Sequence, residues 1–151
     1  MELVYQLQGA GWANASVSNG STRHHIAVSY LSDALGDMAR ATVHLLQGGR
    51  ETSFNFQDEP GAHRWCIVQD DRCFLGIRIE WFAQTFPPCS GGVKVFECDC
   101  HLLEFAGQVL AVLAGILEKE GIEGYKQRCQ KYDFPVAAFE EIKKLIIPGT
   151  A

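Results

Sequence analysis

The chain has 151 residues, of which 47% are hydrophobic and 21% are charged, and its 13 Lys and Arg against 18 Asp and Glu give a net charge of −5. This composition predicts one globular domain over residues 1–151 and excludes a disordered chain. The negative charge, without any cluster of basic residues, excludes nucleic acid as the expected partner and favours a basic protein.

The first 28 residues predict a strand followed by a hairpin. Residues 3–7 alternate apolar and other side chains, as a half-buried strand does. Asn19-Gly20 is typical of a two-residue hairpin turn, which would place Ala15 opposite His24. Successive residues of a strand face opposite sides, so one side of the hairpin is expected to be buried. The side chains expected there are Ala13, Ala15, Val17, His24 and Ile26, and His24 is expected to be hydrogen bonded.

A helix and a second group of strands follow the hairpin. Helical spacing of apolar residues begins at Leu31 and ends at Gly48-Gly49, with Ser29 or Ser32 as the expected N-cap. Residues that alternate in polarity, separated by turns rich in Asp, Pro and Gly, then predict four more strands. We expect these strands at residues 53–57, 64–69, 73–82 and 93–98.

The last third of the chain is predicted to be helical. A wide apolar stripe predicts a central helix over Leu102–Leu117, with Asp99 as its N-cap and Gly121 as its end. A short helix over Glu123–Lys131 and a final helix that begins at Pro135 complete the chain. The order predicts an α+β fold. It would have a mainly antiparallel sheet of about five to seven strands, one helix inserted after the first hairpin, and three C-terminal helices packed on one face.

Six cysteines are an even number, yet we expect all six to be free thiols. The N-terminal residues 1–6 have neither the basic start nor the apolar run of a secretory leader, and the cysteines lie in apolar segments. The uninterrupted apolar stretch Val109–Leu117 is shorter than the ~18 residues that predict a membrane span. A cytoplasmic protein that does not insert into a membrane is therefore expected.

The segment Cys98-Asp99-Cys100-His101 contains three residues of the types that bind zinc. Structural zinc sites normally use a second pair of ligands, and the sequence has no second Cys-x2-4-Cys pair. A strand end that meets a helix cap explains the segment without a metal. We therefore predict no metal and no cofactor, and Cys98, Cys100 and His101 are the candidates if a metal is bound.

No catalytic residues are predicted. Cys100 lies near an expected helix N-terminus, where a thiol is activated, and His101 or His63 could serve as its base. Neither a third orienting residue nor a glycine-rich oxyanion loop accompanies them. The common nucleotide-binding and hydrolase motifs are also absent from the sequence.

Two surfaces are candidates for binding. The first is the polar side of the hairpin, where Trp12, Arg23 and His25 combine the aromatic and cationic residue types that anchor interfaces. The alternative is that this side is only solvated, or that a later element covers Trp12.

The second candidate surface is acidic. Glu59 lies in the turn before the strand at 64–69, and Asp70 and Asp71 lie in the turn after it. Such carboxylates can bind a cationic partner, although solvated turns are the simpler explanation. Their spacing does not match a calcium-binding loop.

Three segments resemble a group of small bacterial proteins that are similar to immunity proteins of polymorphic toxin systems. They are residues 29–37 (Ser-Tyr-Leu-Ser-Asp-Ala-Leu-Gly-Asp), Glu59-Pro60-Gly61 with Arg64-Trp65, and Gly124-Tyr125 with Phe134-Pro135. The resemblance covers most of the chain and brings no catalytic residue set with it. It implies a protein that binds another protein.

Two functions are consistent with these observations. The first hypothesis is a non-enzymatic protein-binding domain, such as an immunity or inhibitor protein of a bacterial toxin. The alternative is a small enzyme or ligand-binding domain with a pocket between sheet and helices, where Cys100, His101, His63 or Glu59 would supply polar groups. A deep polar pocket would favour the alternative, and a flat acidic or aromatic face would favour the first hypothesis. No oligomeric state is predicted.

Overall fold

The computed structural model describes residues 1–58, 60–83 and 92–146. Within them the chain forms an α+β fold, which confirms the predicted class. The elements in chain order are β1 (Glu2–Gln8), β2 (Trp12–Ser18), β3 (Arg23–Ser29), α1 (Ala34–Leu46), β4 (Glu51–Asp58), β5 (Gly61–Gln69), β6 (Phe74–Phe82), β7 (Val93–His101), α2 (Leu102–Cys129) and α3 (Val136–Ile146).

The strands form two antiparallel sheets and not one. β1, β2 and β3 form a three-stranded sheet in that order, and β4 to β7 form a four-stranded sheet, also in chain order. Every strand pair in the two sheets is antiparallel. In the four-stranded sheet the register shifts at Ile79 and Glu80, where β7 has one extra residue.

The β2–β3 hairpin has the predicted faces but a different register. Its loop contains the four residues 19–22, and Ala15 lies opposite Ile26, whereas His24 lies opposite Val17. The side chain of Asn19 accepts hydrogen bonds from the backbone N–H groups of Ser21 and Thr22, which closes the wider loop. A register change of two residues leaves every side chain on its original face. Ala13, Ala15, Val17 and Ile26 are therefore buried as predicted and His24 is half-buried, although the predicted pairing was wrong.

The buried faces of the two sheets contact each other through aromatic rings. Tyr5 of β1 meets Phe56 of β4 edge to face, with ring centroids 5.9 Å apart. Phe54 stacks on Trp65, with centroids 5.2 Å apart, and Trp65 is fully buried. Aromatic pairs of this kind add to the free energy of burial, so these rings hold the two sheets together.

A histidine pair also bridges the two sheets. The Nε2 atoms of His24 in β3 and His63 in β5 lie 3.1 Å apart, which gives His24 the hydrogen-bonded position that the sequence predicts for it. The Nδ1 atom of His63 is buried and has no partner among the described residues. A buried N–H group without an acceptor is rarer than a buried lone pair without a donor. The unpartnered Nδ1 atom therefore carries the lone pair and Nε2 carries the proton, so His63 donates to His24.

Both members of this pair are held in the neutral form. Burial, followed by the neighbouring His24, lowers the pKa of His63 to about 4. Burial, followed by His25, lowers the pKa of His24. Protonation of His24 would place two N–H groups against each other and remove the hydrogen bond between the sheets.

Helix α1 begins one turn later than predicted. Its N-cap is Asp33, which accepts a hydrogen bond from the backbone N–H of Gly36, and neither Ser29 nor Ser32 caps it. The helix packs against β4 and α3. Its buried side includes Met38 and Leu45.

The C-terminal part contains α2 and α3, and α2 consists of two helical segments that meet at a kink, which corresponds to the three predicted helices. Helix α2 continues to Cys129, but Gly121 interrupts its geometry with φ 71° and ψ 173°, at the residue where the sequence predicted an end. Only glycine adopts this backbone conformation readily. The N-cap of α2 is His101 and not Asp99, because β7 continues for three residues beyond its predicted end. No helix among the described residues is long and apolar enough to cross a membrane.

Helix α2 packs against β1, β7, α1 and α3, in agreement with the central position predicted for it. Its buried stripe is narrower than the sequence indicated. Leu113 is fully buried, whereas Leu110 and Leu117 are only partly buried and Leu103 is exposed. Replacing these leucines should therefore have unequal effects on stability.

We expect Leu113→Ala to lower the free energy of unfolding by about 2–5 kcal/mol, because it leaves a cavity in the core. Leu110→Ala, on the same helix and with the same change in side chain, should cost roughly 1 kcal/mol. Urea unfolding of the two variants measures both values. Equal losses would place the two leucines in equivalent environments and contradict the packing described here.

The histidine pair predicts an acid-sensitive stability. Both pKa values are lowered from 6.5 on folding, so the unfolded chain binds more protons between pH ~6.5 and ~4. The stabilising contribution is complete above pH ~6.5 and is lost as the pH falls through this window.

Urea unfolding of the wild type and of His63→Phe between pH 4 and 7.5 measures this contribution. The variant should lose less stability than the wild type as the pH falls, because a phenyl ring in place of the imidazole does not titrate. His44→Gln is the matched control, since His44 is exposed on α1 and lies outside the pair, and it should keep the wild-type pH dependence. Identical pH dependence in wild type and His63→Phe would exclude the pair as its source.

Candidate functional site

The turn between β5 and β6 is built around the carboxylate of Asp70. Its Oδ1 atom accepts hydrogen bonds from the backbone N–H groups of Arg72, at 2.8 Å, and Phe74, at 2.9 Å. These bonds, that from Phe74 first, lower the pKa of Asp70. Cys73 completes the turn with a positive φ of 65°. The carboxylate thus stays ionised, and it also shapes the turn.

Exposed apolar side chains lie beside this turn on the outer face of the four-stranded sheet. Val68 is 58% exposed and Phe74 is 47% exposed. Gly76 of β6 lies between Val68 of β5 and Asp99 of β7 and pairs with both. Because glycine has no side chain, it covers neither Val68 nor Asp99. Phe74 pairs with His101, whose ring meets it edge to face at 5.2 Å. The sheet beneath holds all of these residues in place.

Carboxylates surround the two apolar residues. Glu51 of β4 pairs with Val68 of β5. Asp99 of β7 lies two strands away from Val68, on the other side of Gly76. Asp70 and Asp71 occupy the turn itself. Arg50 forms an ion pair with Asp71 at 2.7 Å. We call the surface formed by Glu51, Val68, Asp70, Asp71, Phe74 and Asp99 the acidic end of the four-stranded sheet.

Glu59 lies outside the described residues. The β4–β5 turn precedes Gly61, whereas Asp70 follows Gln69 at the other end of β5. The 9 residues of β5 separate the two turns by roughly 30 Å. Asp70 and Asp71 therefore lie at the opposite end of β5 from Gly61, at which the strand begins.

The candidate surface with Trp12, Arg23 and His25 is the outer face of the three-stranded sheet. Trp12, which is 39% exposed, lies at one end of this face, and Arg23 lies at the other end. Arg23 forms an ion pair with Glu2 and a hydrogen bond with Ser16. His25 lies between the two ends and is exposed. The three predicted residues share one face, but they do not form a compact cluster.

The Cys98-Asp99-Cys100-His101 segment is the end of β7 and the cap of α2. Cys98 and Cys100 pair with Ile77 and Leu75 on the inner side of the sheet, whereas His101 pairs with Phe74 on the outer side. The thiols and the imidazole therefore point to opposite faces of one strand. Within residues 1–58, 60–83 and 92–146, no three His, Cys, Asp or Glu side chains are grouped so that they could hold a metal ion.

Each of these three residues has a local partner. The ring nitrogen Nδ1 of His101 accepts a hydrogen bond from the backbone N–H of Leu103 and so caps α2. Hydrogen bonding to Cys98, together with burial, raises the pKa of the Cys100 thiol. The five described cysteines are free thiols, and Cys89 lies outside the described residues.

The polar groups named for an enzyme do not converge. His63 pairs with Trp81, and Cys100 pairs with Leu75, which is six residues away along β6. A strand of six residues spans roughly 20 Å, so His63 and Cys100 cannot act on one substrate atom. The three tyrosines with raised pKa values, Tyr5, Tyr30 and Tyr125, are buried in the core, and burial is the first cause of each shift.

Comparison with known proteins gives a structural neighbour. No family model matches the chain, and no curated protein matches it. Among solved structures it is similar to a chain of the CdiA-CT/CdiI toxin and immunity complex from Enterobacter cloacae. The TM-score is 0.42 at 11% identity, over 74% of this chain and 93% of that one. The neighbour comes from the class of complex named by the sequence resemblance, but a TM-score of 0.42 assigns neither fold nor function.

Proposed function

We propose that this protein is a non-enzymatic binding protein whose partner is a basic protein, and that the acidic end of the four-stranded sheet is the contact surface. The observation that carries the proposal is the exposure of Val68 and Phe74 on a rigid sheet, surrounded by carboxylates. An apolar centre with a charged rim is the usual anatomy of a protein–protein interface.

The two components of this surface have different physical roles. Burial of Val68 and Phe74 by a partner would favour binding, because it removes apolar surface from water. Glu51, Asp70, Asp71 and Asp99 carry four negative charges, against the positive charges of Arg50 and Arg72 nearby. The net negative charge would accelerate the approach of a basic partner, and it adds to the overall charge of −5.

The finer part of the proposal is an immunity or inhibitor protein of a bacterial toxin that acts in the cytoplasm. Its support is the sequence resemblance together with a surface suited to a basic partner. Toxins that act on nucleic acid have basic surfaces, because phosphate binding requires them. An acidic protein bound to such a surface would exclude the nucleic acid, and inhibition would need no catalytic group.

Association kinetics of the charge variants test the contact surface. A pull-down from the host bacterium identifies the basic partner, and stopped-flow measurements then give the association rate. Asp71→Lys with Asp99→Lys should slow association by about 10- to 100-fold at low salt and weaken its salt dependence. Glu118→Lys with Glu123→Lys is the matched control, because it changes the net charge equally on an exposed part of α2.

The control should change the association rate by less than about threefold. Equal effects of the two double variants would show that only net charge matters, and no effect of Asp71→Lys with Asp99→Lys would exclude the acidic end as the contact. Phe74→Ala should raise the dissociation rate and leave the association rate unchanged, since it removes contact area and no charge.

Asp70 allows its charge to be separated from its structural role. Asp70→Asn removes the charge and keeps an oxygen that can accept from the N–H groups of Arg72 and Phe74. We expect this variant to bind more slowly at an unchanged melting temperature. Asp70→Ala loses both functions, and it should also lower the melting temperature. An equal melting temperature for the two variants would contradict the capping role of the side chain.

A further inference from the structure

A groove runs between β1 and α2, away from the acidic end. It has a volume of about 310 Å³ and is lined by residues 3–7 of β1 on one side. The other side is one stripe of α2, in which Val112 and Ile116 form the apolar floor. Ala111 and Gly115 have small side chains or none, so they leave the groove open to solvent on this side. A Cβ atom added at Gly115 would meet no atom within 4 Å, so the space directly in front of the helix is open.

The groove exposes the free edge of a sheet. β1 pairs with β2 on one side, and no strand among the described residues pairs with its other side. The N–H of Leu3 points to this free side, because it donates to the side-chain oxygen of Gln108 in α2 at 2.9 Å. Backbone groups of a strand repeat their direction every second residue. The N–H and C=O groups of Tyr5 and Leu7 therefore point into the groove as well.

Gln108 shows what kind of group the edge accepts. A glutamine side chain ends in a primary amide, which has the same donor and acceptor chemistry as a peptide group. Its oxygen occupies the position at which the carbonyl of a neighbouring strand would bind Leu3. No hydrogen bond of this kind reaches Tyr5 or Leu7 within the part of the chain that the structure describes. The edge is thus paired at its first outward position and open at the next two.

The charge at the far end of the groove is positive. Glu120 is neutralised by an ion pair with Arg128, whereas exposed Lys119 forms no ion pair within the described residues. An occupant with an acidic group near this end would therefore gain an electrostatic contact. A basic occupant would gain none.

We propose that this groove binds an extended segment of a partner protein, which pairs with β1 as a fourth strand of the three-stranded sheet. The segment places an apolar side chain over Val112 and Ile116 and an Asp, a Glu or a C-terminal carboxylate next to Lys119. Main-chain hydrogen bonds to Tyr5 and Leu7 supply affinity, and the two side-chain contacts supply specificity. The proposal goes beyond the function proposed for the acidic end and does not depend on it.

The test uses a phage-displayed library of random peptides of about six residues, which is the length of a typical strand. It is selected on the immobilised wild-type protein and on two variants. Gly115→Leu fills the groove. Gly107→Leu is the matched control, since it makes the same change on the same helix, also meets no atom within 4 Å, and lies outside the groove.

We expect enriched peptides with an apolar residue and an acidic residue in alternating sequences. Synthetic copies should bind Gly107→Leu as they bind the wild type, and should bind Gly115→Leu and Lys119→Glu at least about tenfold more weakly. N-methylation of alternate peptide nitrogens should abolish binding, and hydrogen exchange should slow at the amides of Tyr5 and Leu7 when the peptide binds.

Several results would overturn the proposal. No enrichment on the wild type above that on Gly115→Leu would exclude a peptide groove. Equal weakening by Gly107→Leu and Gly115→Leu would show an effect on the helix and not on the groove. Concentration-dependent protection of the Tyr5 and Leu7 amides without peptide would assign the edge to a second copy of the chain. Binding that persists after N-methylation would exclude strand pairing.

Discussion

The burial of one side of every described strand is the constraint on which the rest of the structure depends. Tyr5, Phe54, Phe56 and Trp65 contact one another where the two sheets meet, and this aromatic contact occupies the inner sides of both sheets. Because strand side chains alternate, the same constraint fixes which residues face solvent. Val68 and Phe74 are exposed since their neighbours Ile67 and Leu75 are buried.

The faces of the strands could be predicted from the sequence, because the period of two is local information. The pairing of the hairpin could not, because it depends on which atoms of Asn19 and its neighbours close the loop. The side-chain oxygen of Asn19 binds two N–H groups and favours four loop residues over two. The difference is an even number, so the predicted buried side, including His24, was unaffected.

Long-range contacts account for what the sequence did not reveal. It identified Asp70 and Asp71 as an acidic turn, but Glu51, Val68 and Asp99 join them only through pairing across four strands. The sequence also identified His24 as hydrogen bonded, and its partner His63 lies in the other sheet. The division into two sheets also depends on long-range contacts. Alternation of apolar and polar residues shows that a strand has a buried side, but it does not show which strands share a sheet.

The groove beside β1 was not predicted, because neither β1 nor α2 carries a sequence signal for it. Its glycine and alanine residues appear in the sequence as ordinary members of a helix. Only the position of α2 along the free edge of β1 gives Gly115 and Gln108 a role. Tertiary placement, and not residue type, therefore creates this candidate site.

The same placement bears on a general hazard of sheet proteins. An exposed edge strand can pair with any other edge, including that of a second copy, and this leads to aggregation. Helix α2 lies directly beside β1, and Gln108 already occupies the first outward position of the edge. A second sheet would have to displace the helix in order to approach, whereas a single extended segment needs only the groove. In the proposed binding mode, α2 therefore leaves room beside β1 for one extended segment and obstructs the approach of a second sheet.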